Sequence, residues 1–266
     1  MSSTADVDDD VISSLPDAVI CHILSFLPTT ESVATSILSK RWTDLWRSVP
    51  TINFMDMELD DLETCFLFNE FVYSVLLACN NSIKGFTLNI RYNGPDLCDL
   101  GFPNVIKWIK AVIQRGVECL DLKVNSIGLI KKLPVCILSC NTLAVLKFNR
   151  FLVADFSSVR LPSLKVLHLE NVRFLNVRDF TLLLDGCPIL EDLDACGIML
   201  ESEDSLTFQE GKSLSLSKLT RAEMFFCHFH FPLTALHNVE FLFIEIDKVC
   251  IWLWVCCYMV ILMERR

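Results

Sequence analysis

Apolar residues in the first fifty positions follow a helical spacing that prolines interrupt. A first set recurs at intervals of three and four and comprises Val19, Ile20, Ile23, Leu24 and Leu27. This spacing is typical of a helix with one apolar face. Pro16 suits the first position of this helix, Pro28 ends it, and Ser14 is predicted to cap it.

Two further short helices are predicted before residue 50. The second begins at Glu31 and has an apolar face made of Val33, Ala34, Ile37 and Leu38, and the third covers residues 39–46. A unit of roughly 40 residues rarely buries an independent core, so its excess apolar surface predicts an interface with a partner. Trp42 and Trp46 are expected to pack this unit onto the domain that follows.

A repeated pattern occupies the middle of the chain, with apolar residues at positions one, four, six, nine and eleven. The four copies are Val117, Leu120, Leu122, Asn125, Ile127; Leu143, Leu146, Phe148, Phe151, Val153; Leu164, Leu167, Leu169, Val172, Phe174; and Leu190, Leu193, Ala195, Ile198, Leu200. Their starts lie 26, 21 and 26 residues apart. These distances and this pattern are those of leucine-rich repeats.

Each repeat is expected to supply one strand around its central apolar pair and a return segment. Stacked repeats would form a curved solenoid of the α/β class. Helices are predicted over residues 62–79, 104–115 and 179–185, and a degenerate repeat begins near Ile83. In residues 62–79 the apolar positions are Phe66, Val72, Val75 and Leu76.

The register after residue 200 stays open. One frame runs from Leu219 through Ala222, Met224, Cys227 and Phe229, and another from Leu236 through Val239, Phe241, Ile244 and Ile246. The starts of these two frames are only 17 residues apart. A frame from Leu216 would restore the spacing but would place Arg221 in a core position.

The composition and charge of the chain restrict the kinds of partner that it is expected to bind. The chain has 266 residues, is 52% apolar and carries a net charge of -10. An acidic chain without a basic stripe repels a phosphate backbone, so nucleic acid is not an expected partner. Residues 1–10 are acidic and poor in apolar residues, which predicts a disordered tail.

Cysteine and glycine usage argues against a catalytic or metal centre. The 13 cysteines are odd in number and scattered, and no signal peptide is recognisable at the N-terminus, which indicates a reducing compartment, the cytoplasm or the nucleus. None of the eight glycines lies in a phosphate-binding loop. No catalytic residue, metal site or cofactor is predicted, and the chain is not expected to be an enzyme.

Residues 249–263 are fifteen consecutive apolar residues. As a helix they would span about 22 Å against a hydrocarbon core of about 30 Å, so a membrane span is disfavoured. Three interpretations stay open: a truncated or misread end of a longer protein, an element covering the last repeat, and a membrane tail. Residues 249–266 are therefore treated as an atypical segment.

Residues 11–50 resemble the plant F-box. The resemblance rests on Leu15-Pro16-Asp17, on the apolar stripe that ends at Pro28, and on the run from Leu38 to Trp42. It implies docking on a Skp-type adaptor and, through it, a cullin. Carried over by position, the adaptor-binding residues would be Leu15, Pro16, Ile20, Leu24, Val33 and Leu38.

Segments 108–122, 133–146 and 161–193 resemble the plant F-box/leucine-rich-repeat proteins whose longer members end in an FBD-type domain. No complete FBD-type domain is recognisable here, which suggests a truncated C-terminus. The resemblance divides the chain into an F-box, 11–50, and a leucine-rich solenoid, 51–248. It implies the substrate-recognition subunit of an SCF-type cullin-RING E3 ubiquitin ligase.

The residues that flank each central apolar pair are expected to face outward on the sheet and to bind a protein substrate. They are Asp121, Lys123, Lys147, Asn149, His168, Glu170, Asp192 and Asp194. A leucine-rich scaffold without productive ligase assembly is the alternative. A membrane-anchored adaptor is a third hypothesis and depends wholly on residues 249–263.

Overall fold

The structure is a computed structural model that describes residues 11–79, 82–128, 130–201, 214–227 and 233–245. Three regions of the sequence predictions lie outside these ranges: the acidic tail 1–10, the apolar segment 249–266, and the frame positions Phe229 and Ile246.

Seven α-helices occur in the described ranges. They are α1 Val11–Ser14, α2 Asp17–Leu24, α3 Thr29–Ala34, α4 Trp42–Leu45, α5 Leu62–Ala78, α6 Pro95–Gln114 and α7 Val177–Asp185. Short 3-10 turns are also present, at Thr35–Ile37, Trp46–Ser48, Val135–Ser139 and Leu233–Leu236.

Twelve strands occur in the same ranges and form two sheets. They are β1 Thr51–Leu59, β2 Gly85–Tyr92, β3 Cys119–Ser126, β4 Lys131–Lys132, β5 Val145–Asn149, β6 Phe151–Val153, β7 Val166–Glu170, β8 Arg173–Phe174, β9 Asp192–Cys196, β10 Met199–Leu200, β11 Arg221–Phe225 and β12 Phe241–Glu245. The main sheet has the order β1-β2-β3-β5-β7-β9-β11-β12, and the second sheet has the order β4-β6-β8-β10.

Every strand pair in both sheets is parallel, and strands join each sheet in chain order. From β3 to β10 the chain alternates, giving one strand to the main sheet and the next to the second sheet. Parallel strands require a crossover between them, and helices or 3-10 turns supply several of these crossovers. The chain therefore has a mixed α/β architecture with parallel sheets, as expected.

The central leucines of successive repeats lie in register across the main sheet. Leu120 pairs with Leu146, Leu146 with Leu167, and Leu167 with Leu193. All four side chains are fully buried in one continuous hydrophobic core. The predicted strand centres are thus confirmed for all four repeats.

Two predicted core positions near the end of the first repeat are wrong. Asn125 is only half-buried, because the alternation along β3 buries Val124 and Ser126 instead. Ile127 is exposed, because β3 continues to Ser126 and the chain then turns through Gly128, whose φ is 75°. Leu200, on the edge strand β10 of the second sheet, is half-buried and packs against the main core, so this position is confirmed in part.

Strand register decides between the late frames. Ala222 pairs with Leu193 and Met224 with Ala195, so the frame from Leu219 is confirmed. Arg221 is exposed, and the frame that placed it in the core is wrong. In β12, Leu242 and Ile244 pair with Ala222 and Met224 and therefore hold positions four and six of their repeat. The last frame starts at Val239, three residues after the predicted Leu236.

The long helices differ from the predictions mainly at their ends. Helix α6 begins at Pro95, well before the predicted start at residue 104, and carries Pro103 in its interior. Helix α7 begins two residues early because the Asn176 side chain accepts a hydrogen bond from the Asp179 backbone N–H at 3.0 Å. Helix α5 agrees closely with its predicted range, but its Phe66 is exposed.

The helices before residue 50 are shorter than predicted. Helix α2 begins at Asp17 with Pro16 as its N-cap residue, while Ser14 ends the separate helix α1. The prediction that Ser14 caps α2 is therefore wrong. Helix α3 begins at Thr29 instead of Glu31.

Replacing Leu167 by Ala should lower the free energy of unfolding by about 3 kcal/mol, because the side chain is fully buried between two neighbouring leucines. Urea denaturation of the full chain measures this change. Lys165→Ala is the control: Lys165 is exposed and forms an ion pair with Glu191, so its loss should cost less than about 1 kcal/mol. Equal effects of the two variants would contradict the role of the leucine register.

Candidate interaction surfaces

The first fifty residues have a small hydrophobic core of their own. Its buried members are Ile20, Leu24, Trp42, Leu45 and Val49. The Ser32 hydroxyl donates to the Leu24 carbonyl oxygen at 3.0 Å, which ties α3 to the end of α2. These few residues bury much less surface than a stable domain needs, as expected for a unit of this size.

Burial changes the set of residues that can meet a partner. Ile20 is 0% and Leu24 is 1% exposed, so both belong to this core and leave no surface for an adaptor. Their assignment as contact residues is corrected accordingly. Val19 and Ile23, each one position earlier on α2, are exposed instead. The apolar stripe of α2 therefore includes exposed side chains as well as the buried ones.

Several large apolar side chains of this unit are exposed. Ile37 is 86% and Leu38 is 64% exposed at the end of the 3-10 turn that follows α3, and Ile12 and Phe26 are exposed as well. Pro16 is exposed and Leu15 is half-buried. Exposed apolar side chains at this density on a unit of roughly forty residues mark an interaction surface.

Arg41 holds the start of α2 in place. Its Nε donates to the Asp17 carboxylate at 2.9 Å, and its Nη2 donates to the Leu15 carbonyl oxygen. The Asp17 side chain is 66% and the Arg41 side chain 35% exposed, so solvent screens this ion pair and it adds little to stability. These contacts tie the Leu15-Pro16 turn to the start of α4, because Arg41 is the residue that precedes this helix.

The junction with the main sheet is formed by three side chains. The Asn53 backbone N–H of β1 donates to the Thr29 hydroxyl at 2.7 Å. Val33 is half-buried against the main core, away from the exposed surface predicted for it. Trp46 packs on both hydrophobic cores, whereas Trp42 lies only in the small one. Of the two predicted anchors, Trp46 therefore joins the two units.

All eight residues predicted to flank the central apolar pairs lie on one face of the main sheet. We define the polar face by three rows of side chains that the strand register aligns. The rows are Cys119, Val145, Val166, Asp192, Arg221, Phe241; Asn53, Thr87, Asp121, Lys147, His168, Asp194, Glu223, Phe243; and Asn89, Lys123, Asn149, Glu170, Cys196, Phe225, Glu245.

Charge is distributed unevenly along this polar face. On β3, β5 and β7, lysines and carboxylates alternate, and Lys123 Nζ lies 3.9 Å from Glu170 Oε2. On β9, β11 and β12 the carboxylates dominate, and Arg221 is the cation placed among them by the strand register. Arg221 pairs with Glu223, and its Nε lies 3.9 Å from Asp192 Oδ1.

The same end of the polar face carries aromatic side chains. The rings of Phe225 and Phe243 are stacked with centroids 4.7 Å apart. The Arg221 guanidinium lies 4.7 Å from the centroid of Phe241, a cation–π contact. Aromatic surface and carboxylates thus occur together from β11 to β12.

Four acceptor oxygens on the polar face are buried and lack a hydrogen-bond partner within the described part of the chain. They are the Oδ1 atoms of Asn53, Asp121, Asn149 and Asp192. A buried acceptor without a donor costs about 1–3 kcal/mol. Folding therefore leaves this face short of donors.

Burial raises the pKa of Asp121 above its usual range. Lys123, Lys147 and His168 act in the opposite direction because their charges favour the carboxylate, but the loss of hydration outweighs them. The folded chain therefore stabilises the ionised carboxylate of Asp121 less well than water does.

Sequence reasoning missed several members of these surfaces. Glu223, Phe225 and Phe243 were missed because the late register was undecided, although each flanks an apolar residue of the correct frame. Val19 and Ile23 were assigned to the same stripe as the buried residues of α2. Only the packing of α2 on α4 decides which of these apolar side chains are buried and which are exposed.

Other candidate sites are weaker. An open cleft of about 310 Å³ lies beside the ends of β1, β2 and β3, but its Arg91 already pairs with Glu58 at 3.2 Å. Within the described ranges, no three His, Cys, Asp or Glu side chains are grouped to hold a metal ion.

Comparison with known proteins agrees with this geometry. The F-box domain family matches residues 12–53. The family described as "FBD-associated F-box protein At5g56370, LRR repeats" matches residues 105–208. Two similar relatives from Arabidopsis thaliana are F-box/FBD/LRR-repeat protein At4g00160 and F-box/LRR-repeat protein At4g14103. The first is 36% identical over 200 residues, covering 74% of this chain and 42% of the relative. The second is 41% identical over 192 residues, covering 69% and 49%.

The chain belongs to the plant F-box/leucine-rich-repeat family. A third relative, F-box/FBD/LRR-repeat protein At5g56420 of the same plant, is 36% identical over 217 residues, which cover 80% of this chain and 50% of the relative. The chain spans about half the length of the curated relatives that it matches. No solved structure matches it significantly.

The F-box is thus the unit with the small core, and the leucine-rich repeats supply the main sheet. Among the residues that the structure describes, no helix has the length and apolar character needed to cross a bilayer. The apolar segment 249–263 lies outside those residues.

Trp46→Ala should uncouple the F-box from the leucine-rich sheet, because Trp46 packs on both cores. We expect a loss of roughly 3 kcal/mol and an F-box that melts before the rest of the chain. Differential scanning calorimetry of the full chain would show this as an additional transition at lower temperature. The exposed Lys40 of the same unit provides the control Lys40→Ala, which should keep the wild-type profile. An unchanged profile for Trp46→Ala would exclude the proposed role of the junction.

Asp121→Asn should stabilise the chain at pH 7. Because the folded-state pKa is raised, the ionised carboxylate destabilises the fold as pH rises through that pKa. The melting temperature of the variant should exceed that of the wild type at pH 7, and the difference should vanish below the ordinary pKa of 3.8. Thermal melts across this pH range test the sign. Asp185→Asn on the exposed side of α7 serves as the control and should change little.

Proposed function

We propose that this F-box/leucine-rich-repeat protein is the substrate-recognition subunit of an SCF-type cullin-RING E3 ubiquitin ligase. The F-box docks on a Skp-type adaptor, and through the adaptor on a cullin, while the leucine-rich repeats bind a protein substrate. The chain itself is a non-catalytic receptor. We place its site of action in the cytoplasm or the nucleus.

The exposed apolar surface of the F-box is the observation that carries this proposal. F-box domains generally bind Skp-type adaptors, and the match to that family spans residues 12–53. Within this range Ile37 and Leu38 expose most of their surface to solvent. Covering such residues with a partner is favourable by about 25 cal/mol for each Å² of apolar surface removed from water.

Burial revises the proposed adaptor contacts. Leu15, Pro16 and Leu38 stay in the set because they retain accessible surface. Ile20 and Leu24 support the surface from beneath, and Val33 supports it from the side of the main sheet. The exposed residues that replace them are Val19, Ile23, Phe26 and Ile37.

We further propose that residues 51–248 form a curved leucine-rich solenoid. In support, strands join the two parallel sheets in chain order, so that each repeat packs mainly on its neighbours. The proposed boundary with the F-box falls between the 3-10 turn Trp46–Ser48 and strand β1, which begins at Thr51. The polar face of this sheet is the proposed substrate surface.

The double variant Ile37→Ala with Leu38→Ala should weaken adaptor binding at least about tenfold without lowering the melting temperature. Both side chains are exposed, so their truncation removes contact area but no packing within the chain. Co-expression with a Skp-type adaptor, followed by pull-down and calorimetric titration, measures the affinity.

Leu67→Ala with Leu77→Ala is the matched control. These leucines are also exposed, 59% and 77%, but they lie on α5, outside the F-box. The control should bind the adaptor like the wild type. A soluble wild-type chain that fails to bind any Skp-type adaptor would overturn the ligase proposal and favour a leucine-rich scaffold.

A further inference from the structure

We propose that the polar face binds a basic segment of the protein substrate, an extended stretch whose arginine or lysine side chains donate hydrogen bonds to its carboxylates and buried oxygens. This inference deepens, and rests on, the proposed substrate-receptor function. It names the chemistry of the partner from the acceptors, charges and aromatic rings that the strand register brings together.

The strongest support comes from the unsatisfied acceptors. Asn149 is only 9% exposed, and its Oδ1 has no hydrogen-bond partner within the described residues. The register places it between Lys123 and Glu170, on the polar face. Oδ1 of Asp121 also has no hydrogen-bond partner there, whereas Oδ1 of Asp192 lies 3.9 Å from Arg221 Nε, beyond hydrogen-bond distance. A partner that fits must bring donors, and guanidinium and ammonium groups are donors only.

Net charge favours the same partner. On β9, β11 and β12 the face carries Asp192, Asp194, Glu223 and Glu245 with Arg221 among them. Four carboxylates and one guanidinium leave this end with a net charge of -3, within a chain whose net charge is -10. Such a field attracts a cationic segment and repels an acidic one.

Aromatic side chains at the acidic end add a second type of contact. Phe225 and Phe243 present a stacked pair, and Phe241 already receives the guanidinium of Arg221. Aromatic faces bind both cations and apolar side chains. A basic segment that also carries an apolar or aromatic residue therefore matches this end of the polar face.

Sheet geometry sets the length of the segment. The middle row runs from Asp121 on β3 to Phe243 on β12 across five strand intervals. Neighbouring strands lie about 4.8 Å apart, so the row is roughly 24 Å long. An extended segment of about seven or eight residues spans that distance at about 3.3 Å per residue.

Fluorescence anisotropy with the full chain provides the test. The probe is a labelled peptide of about eight residues that carries several arginines and one phenylalanine. Two matched peptides replace every arginine, one with citrulline, which keeps donors but not charge, and one with glutamate. Wild type should bind the arginine peptide at least about tenfold more tightly than either, and this affinity should fall between roughly 50 and 500 mM salt.

The decisive variant is Asp194→Asn with Glu223→Gln, which removes two charges from the polar face with little change in shape. It should bind the arginine peptide about tenfold more weakly. Glu70→Gln with Asp185→Asn makes the same change in net charge on exposed helix positions and should bind like the wild type. Equal affinities of the two double variants would overturn the inference.

Asn149→Leu tests the buried acceptor separately. It removes the unpaired oxygen at similar volume, so peptide affinity should fall about fivefold while the melting temperature stays the same or rises. A lower melting temperature with unchanged affinity would assign Asn149 a purely structural role.

Adaptor affinity is measured on the same preparations. Adaptor binding without preference for the arginine peptide would refute only this inference. Peptide binding without adaptor binding would refute only the ligase proposal. Preference for the glutamate peptide would show that the polar face takes an acidic partner instead.

Discussion

Parallel register between successive strands places Leu120, Leu146 and Leu167 side by side in one buried row. Because the side-chain period of a strand is two residues, the same register that buries these leucines also aligns the residues between them on the opposite side. The hydrophobic core and the polar face are therefore two results of a single constraint. A slip of one residue would expose the core and bury the charges.

The F-box depends on that sheet as well as on its own small core. Five buried side chains cannot hold the unit alone, and Trp46, Val33 and the bond from Asn53 to Thr29 supply the remaining contacts. The apolar residues that point away from this junction stay uncovered. The arrangement leaves an exposed apolar surface on the F-box and the polar face on the sheet, and Trp46 packs on the cores of both units.

Much of the fold follows from the sequence because apolar periodicity is a local property. The four repeat frames placed every central strand correctly, since an L-x-L pair reports burial directly. The frame from Leu236 failed because Phe241 and Leu242 are both apolar, and only the pairing of Leu242 with Ala222 fixes the strand. The interaction surfaces were less predictable. Ile20 and Val19 are equally apolar in sequence, and only the packing of α2 on Trp42 and Leu45 decides which of them is buried.

Alternation along each strand has a consequence for how such a chain changes over time. The leucine at one position maintains the scaffold, and the neighbouring residue, such as His168 beside Leu167, lies on the polar face. The scaffold and the polar face do not share a side chain. Substitutions can accumulate on the polar face while the buried rows stay constant, so duplicated copies of such a chain can diverge in the charge and shape of that face without having to evolve a new fold.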